Sequence, residues 1–312
     1  MSRVLVRGDP EWPARLDELS PHAPVERLYV NGRPLGDSPA IAVVGTRRPT
    51  GAGLEAARRF ATGLGEAGIT VVSGLAIGVD AAAHAAAMDA GGTTVAVLGC
   101  GLDVDYPRRN RALKQRIAGS GAVVTEHPDG TPPIRHHFPE RNRIIAGLAD
   151  GVVVVEGAVT SGALVTARLA LDCNRAVYAL PGSVRNPMAE GPNELIRTGQ
   201  AALVTDVSHI FQDLAPARAW TAPSSDRRNG PLVNSDVEAE ILNLLDDSPV
   251  APDALSGALN AKPGKIAAAL SQLEIRRLVT SARGGYALTT AGARARAPAL
   301  SPGSVQATED AL

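Results

Sequence analysis

The sequence predicts a doubly wound, mainly parallel α/β sheet followed by a small helical domain that ends in a hairpin. Between residues 40 and 213, short β-branched apolar runs alternate with glycine-rich turns and alanine-rich amphipathic stretches. The runs are continuously apolar rather than alternating, which marks strands buried on both faces of a parallel sheet. Farther on, three short amphipathic stretches precede a segment that alternates around Gly284-Gly285, a hairpin signal.

Residues 1–39 read as a lead-in with six prolines and a short helix around Trp12–Leu19. Strands are predicted at Ile41–Val44, Thr70–Val72, Thr94–Leu98, Ala122–Thr125, Val152–Val155, Ala176–Leu180 and Ala202–Val204. Helical patterns fill the gaps, as at Leu54–Glu66 and Ala81–Met88. Residues 214–234 are rich in Pro, Ser and Arg without periodicity, the composition of a linker. Helices at Val237–Leu245, Pro252–Leu259 and Gly264–Leu273, with the hairpin, make residues 235–290 a winged-helix-like domain. The tail, 291–312, has the composition of disordered chain.

With 31 Lys+Arg against 32 Asp+Glu, the net charge of −1 excludes a globally basic protein. Any site for a polyanion must therefore come from local clustering. Apart from Lys114, Lys262 and Lys265 the positive charge is arginine, whose planar fork suits phosphate. Cys100 and Cys173 are far apart and match no metal or redox spacing, so they read as free thiols in a reducing compartment. The start, MSRVLVRGDPEWP, lacks the apolar run of a signal peptide, and no stretch approaches membrane-spanning length. A cytoplasmic protein with no membrane partner is expected.

In an open parallel sheet, ligands bind outside the carboxyl ends of the strands where the strand order reverses. With the common order, the first and fourth predicted strands flank that point. Their following loops are GTRRPTGAG and EHPDGTPPIRHHFPERNR. Segments 45–53 and 135–143 hold Arg47, Arg48, Arg135, Arg141 and Arg143 against the single acid Glu140. The glycines at 45, 51 and 53 have the wrong spacing for a dinucleotide, the second strand ends in Ser73-Gly74 rather than an acid, and no G-K-[ST] follows a glycine loop. No cofactor is expected. The first loop can still hold an anion through backbone N–H groups and the start of the following helix.

Arginines beside an aromatic suggest single-stranded nucleic acid, where cations track the backbone and an aromatic face accepts a base. Phe138, followed by Pro139, Arg141 and Arg143, fits that pattern; it fits equally a loop anchor packed inward beside solvated arginines. Asp80 reads as a helix cap and His84 as structural. His127, His136 and His137 have no standard metal spacing. Ser161 reads as a helix cap or a phosphate contact. Arg108 and Arg109 are offset by Asp103 and Asp105.

The blocks VVGTRRPTGAG, VVSGLAIGVDAAAH, TVAVLGCGLDVDYPRRN, FPERNRIIAGLADGVVVVEG, SGALVTARLAL and ALPGSVRNPMAEGPNELIRTGQA resemble the DNA-processing protein A family (DprA, also called Smf). The resemblance spans about Val43 to Ala201. It implies an extended Rossmann-like domain and a non-enzymatic binder of single-stranded DNA that dimerises. It further implies protection of incoming strands in natural transformation and recombination, loading of the recombinase RecA, and a meeting with single-strand-binding protein. Carried over by motif, the DNA contacts fall on Arg47, Phe138, Arg141, Asn142 and Arg143. Gly45, Thr46, Arg48, Ser73, Gly74 and Ser161 lie nearby. The lead-in is too short for the helical domain that precedes the core in many members. The alternative is a nucleoside-monophosphate phosphoribohydrolase, whose P-G-G-x-G-T-x-x-E block supplies a catalytic carboxylate; AVTSGALVTARLAL has none.

Overall fold

The computed structural model describes residues 2–19, 24–36, 38–217, 236–246, 248–276, 278–282, 284–289 and 292. These fall into two compact units, divided at residue 224.

The first unit is built on a nine-stranded sheet. Its seven parallel strands are β3 (Ala40–Val44), β4 (Thr70–Ser73), β5 (Thr94–Val97), β6 (Ala122–Thr125), β7 (Gly151–Val154), β8 (Ala176–Ala179) and β9 (Ala202–Leu203). Each coincides within a residue or so with an apolar run of the sequence. Alternate side chains of β3 point to opposite faces: Ile41 and Val43 to one layer of core, Ala40, Ala42 and Val44 to the other. Each Val or Ile so buried contributes about 1.5–3 kcal/mol. Helices α1 (Gly51–Glu66), α2 (Val79–Asp89) and α3 (Arg111–Ser120) cover the first face; α4 (His137–Leu148) and α5 (Gly162–Asp172) cover the second. Helix α6 (Glu190–Arg197) precedes β9, and α7 (Val207–Ala217) packs through Ile210 and Leu214 on the α1 face.

Two expectations need correction. The lead-in is part of the sheet: β1 (Ser2–Val6) pairs antiparallel with β2 (Arg27–Gly32), and β2 pairs antiparallel with β6. Leu28 and Val30 of β2 are fully buried, and that one-sided alternation was obscured by the surrounding prolines. The predicted helix reduces to a 3-10 turn at Ala14–Glu18. The strand order is also different, running β1-β2-β6-β5-β4-β3-β7-β8-β9. The first predicted strand therefore neighbours the fifth, β7, and not the fourth, β6. After β6 the chain crosses to the second face as α4 and returns beside β3, which moves the reversal point to β3/β7.

The second unit holds α8 (Asp236–Leu244), α9 (Pro252–Ala258), α10 (Pro263–Ile275) and the hairpin of β10 (Val279–Ala282) with β11 (Gly285–Leu288). Ile241, Leu245, Leu255, Ile266, Leu270 and Leu273 form its own core. The linker begins later than the sequence suggests, because α7 runs through Ala217; its remainder and the tail beyond 292 lie outside the described residues. Among the described residues no helix is long and apolar enough to cross a membrane.

Candidate nucleic-acid interface

A cleft of about 850 Å³ lies at the carboxyl ends of the central strands. Its walls include Gly45, Thr46, Arg47, Arg48, Phe138, Arg141, Asn142 and Ser161. Although β6 is not beside β3, the loop after it runs far enough to bring Arg135 and Phe138 over the β3 loop. The two segments singled out in the sequence thus meet by way of the α4 crossover.

The start of α1 is engaged by one of the protein's own carboxylates. Thr50 caps the helix by accepting from Gly53 N at 3.0 Å. The carboxylate of Glu156, at the end of β7, accepts from Thr50 N at 2.9 Å, from Thr50 Oγ1 at 2.7 Å and from Asn186 Nδ2 at 3.0 Å. Glu156 is buried, and a Cβ at residue 53 would collide with it, so the first turn of α1 carries glycine at that position. The position that a helix dipole offers to a phosphate is filled from within the protein. An anion expected at the first loop would meet this carboxylate at the helix start.

Positive charge is instead displayed on side chains. Arg47, Arg48 and Arg135 are exposed. The Arg47 guanidinium lies 5.8 Å from the centroid of the Phe138 ring, a cation–π distance. Phe138 is half-buried and its ring centroid is 5.2 Å from that of Tyr106. The ring therefore belongs to the cleft wall rather than to the core.

Other site candidates take supporting positions. Arg141 is 4% exposed and its Nη1 donates to Gly74 O at 2.8 Å and to Val97 O. Burial pushes its pKa down to about 10, opposed by Asp80 and assisted by Arg47. Burial likewise raises the Asp80 carboxyl, opposed by Arg141. Asp80 accepts from Gly74 N and Ala76 N, both at 3.2 Å, so it braces the turn before its own helix. A Cβ at Gly74 would approach Arg141 Nη2 to 2.6 Å, so that turn admits only glycine beside the pair. Gly74 lines an adjoining cavity of about 80 Å³ under Arg47, Tyr106 and Phe138.

Ser73 and Arg143 are corrected more strongly. Ser73 is fully buried and its Oγ donates to Val43 O at 2.7 Å, joining β4 to β3. Arg143 does not line the cleft; it donates to both Glu126 oxygens, at 2.8 and 2.7 Å, with the side chain 14% exposed. That bidentate pair lowers the Glu126 carboxyl against the raising effect of burial. Asn142 donates to Gly162 O at 3.3 Å, tying α4 to the start of α5. Ser161 precedes α5 and its side chain makes no cap bond. His127 and His137 stack at 4.0 Å and His136 meets His137 edge-on at 4.7 Å. Among the described residues no three His, Cys, Asp or Glu side chains are placed to share a metal.

Sequence reasoning missed Tyr106. A signal was available: Tyr106-Pro107-Arg108-Arg109-Asn110 and Phe138-Pro139-Glu140-Arg141-Asn142 share the pattern aromatic-Pro-x-Arg-Asn. It also missed Glu156, because a strand-end acid acquires its meaning only from the helix it faces.

Fold and cleft define a class: an α/β protein that lines its switch-point cleft with arginines and aromatics. The chain belongs to the DNA recombination-mediator protein A family, whose model matches residues 3–215; a DprA winged helix domain model matches 216–285. It is 43% identical to the DNA processing protein DprA of Streptococcus pneumoniae over 65% of this chain and 71% of that one. It is 35% identical to Protein Smf of a Synechocystis strain over 90% of this chain and 79% of that one. Among solved structures, DNA processing protein A from S. pneumoniae superposes with TM-score 0.65 at 39% identity, covering 68% of this chain and 74% of that one. The Helicobacter pylori DNA processing protein A, solved for its single-stranded DNA binding mode, gives TM-score 0.63 at 30% identity over 70% and 97%.

Proposed function

We propose that this protein binds single-stranded DNA in the cleft between the β3 loop and the start of α4, without catalysing a reaction on it. The observation that carries the reading is exposed Arg47 resting on the half-buried Phe138 ring, with Arg48 and Arg135 beside them. Cations for a backbone and a ring for a base then stand in one groove. In this role a cytoplasmic dimer protects exposed or incoming strands during transformation and recombination. It hands them to RecA and meets single-strand-binding protein on the way. Arg47, Arg48, Phe138 and the Gly45-Thr46 backbone are the proposed contacts, with Ser161 at the far wall. Arg141 and Asn142 shape the groove, and Arg143 and Ser73 hold the elements behind it.

The hydrolase alternative needs a free carboxylate in the cleft. Glu156 is engaged by two hydrogen bonds from Thr50 at the start of α1 and one from Asn186, and Asp80 is turned into its own loop and Arg141. Gel-shift comparison of single- and double-stranded DNA at fixed salt tests the reading, with tighter binding of the single strand expected. Release of adenine from AMP would overturn it in favour of catalysis.

A further inference from the structure

The two aromatic-Pro-x-Arg-Asn segments are alike in structure as well as in sequence. Tyr106 precedes the 3-10 turn Arg108–Asn110 that leads into α3, and Phe138 sits in the first turn of α4. In each, the asparagine four residues after the ring is buried and donates its amide to a backbone carbonyl of a neighbouring loop or helix. Asn110 donates to Leu75 O at 2.9 Å and Asn142 to Gly162 O at 3.3 Å. The rings meet at 5.2 Å with planes 37° apart. The copies differ at the arginine: Arg141 is buried, whereas Arg109 and its neighbour Arg108 are exposed.

We infer that Tyr106 is a second base-stacking platform, continuous with Phe138, so that the groove takes two successive bases and not one. This rests on the single-strand reading above. Tyr106 is 37% exposed, lines the cleft and roofs the adjoining cavity with Phe138. Its loop is held at several points, by Gly101 N donating to Thr131 O at 3.0 Å, Gly130 N to Asp103 Oδ1 at 2.8 Å and Lys114 Nζ to Val104 O at 2.8 Å. A ring fixed in advance loses little freedom when a base settles on it. With Asp103 and Asp105 engaged locally by Gly130, Arg111 and Lys114, Arg108 and Arg109 remain to follow the backbone past the ring.

The test measures affinity of the full chain for an oligothymidylate and for a matched strand of abasic deoxyribose phosphate, at one salt concentration. Tyr106→Ala should weaken oligothymidylate binding roughly five- to a hundredfold. Tyr106→Phe should stay within about twofold of wild type, and neither variant should alter abasic binding by more than about twofold. An equal loss on both strands by Tyr106→Ala would make the ring a loop support and overturn the inference. Unchanged binding by Tyr106→Ala and Tyr106→Leu, with Arg47→Ala still weakening both strands, would overturn it while leaving the single-strand reading intact. If Arg47→Ala also had no effect, the underlying reading would fall with it.

Discussion

The Arg47 guanidinium stands 5.8 Å from the centroid of the Phe138 ring, so the proposed phosphate contact and the proposed base contact touch each other in the free protein. A strand that engages both must first separate them. At an exposed site such a contact is worth ~0.5–1 kcal/mol. Each single alanine variant loses its own contact but escapes that separation cost. The double variant Arg47→Ala/Phe138→Ala should therefore lose more affinity than the sum of the singles, by ~0.5–1 kcal/mol. Strict additivity in the cycle would mean that the pair stays together in the complex.

Salt separates the two contributions. Arg47→Ala should shrink the slope of log affinity against log salt by ~0.7, the value for one phosphate contact on a single strand. Phe138→Ala should cost ~1–3 kcal/mol through lost stacking and leave the slope nearly unchanged. A Phe138→Ala protein that melts at lower temperature with DNA affinity preserved would place the ring in the core.

The Glu156 carboxylate is packed against Gly53, with no space for a methyl group between them. Gly53→Ala should destabilise the first unit by ~1–3 kcal/mol, the cost of overpacking a tight site. Denaturant unfolding reads this directly, and an unchanged midpoint would show that the carboxylate moves aside freely.

His84 supplies a pH signature. It is fully buried, and because Thr94 Oγ1 donates to Val71 O, His84 Nδ1 must donate to Thr94 Oγ1 at 2.6 Å. Burial, then Arg141, pushes its pKa down to about 3 from 6.5. Between those values the unfolded chain takes the proton and the folded chain does not. The contribution is full above about pH 6.5 and is lost as pH falls toward 3, with ~2 kcal/mol of it gone at pH 5. Asp80, raised by burial, works with the opposite sign. Comparison with His84→Gln removes that background: the wild-type Tm should fall relative to the variant between pH 8 and 5. Parallel curves would refute the assignment.

The second unit should contribute little to strand affinity. Its α10 carries only Lys265, with Lys262 at its N-cap, and residues 235–290 hold five basic against seven acidic side chains. Such a balance gains little from counterion release. Truncation after residue 224 should leave affinity within about threefold, ~0.7 kcal/mol. A hundredfold loss at equal salt would make this unit a DNA-binding domain.

The parallel strands were legible because a strand buried on both faces must be apolar at every position, as Ile41–Val44 and Val152–Val155 are. Strand β1, an edge with Val4 and Val6 exposed, carries no such constraint and went unread. The neighbour of β3 was not legible either, because pairing depends on the path of α4 rather than on the strand's own residues. In the site, the convergence of segments 45–53 and 135–143 was legible from charge and spacing. The division of labour among arginines was not: Arg143 is neutralised by Glu126, seventeen residues away, and Arg141 by carbonyls and a carboxylate on other strands and helices.

Glu156 has a last consequence, for which molecules compete. A dinucleotide enzyme spends its helix start on one phosphate and so captures a single small molecule well. Here that place carries the protein's own negative charge, which disfavours a lone nucleotide seeking the same amides. What remains is a row of surface arginines and rings, each contributing little by itself. Attachment then grows only with the number of linked units that engage together. On the proposed reading, length becomes the selection rule: a polymer is retained where the free nucleotides of the cell pass by.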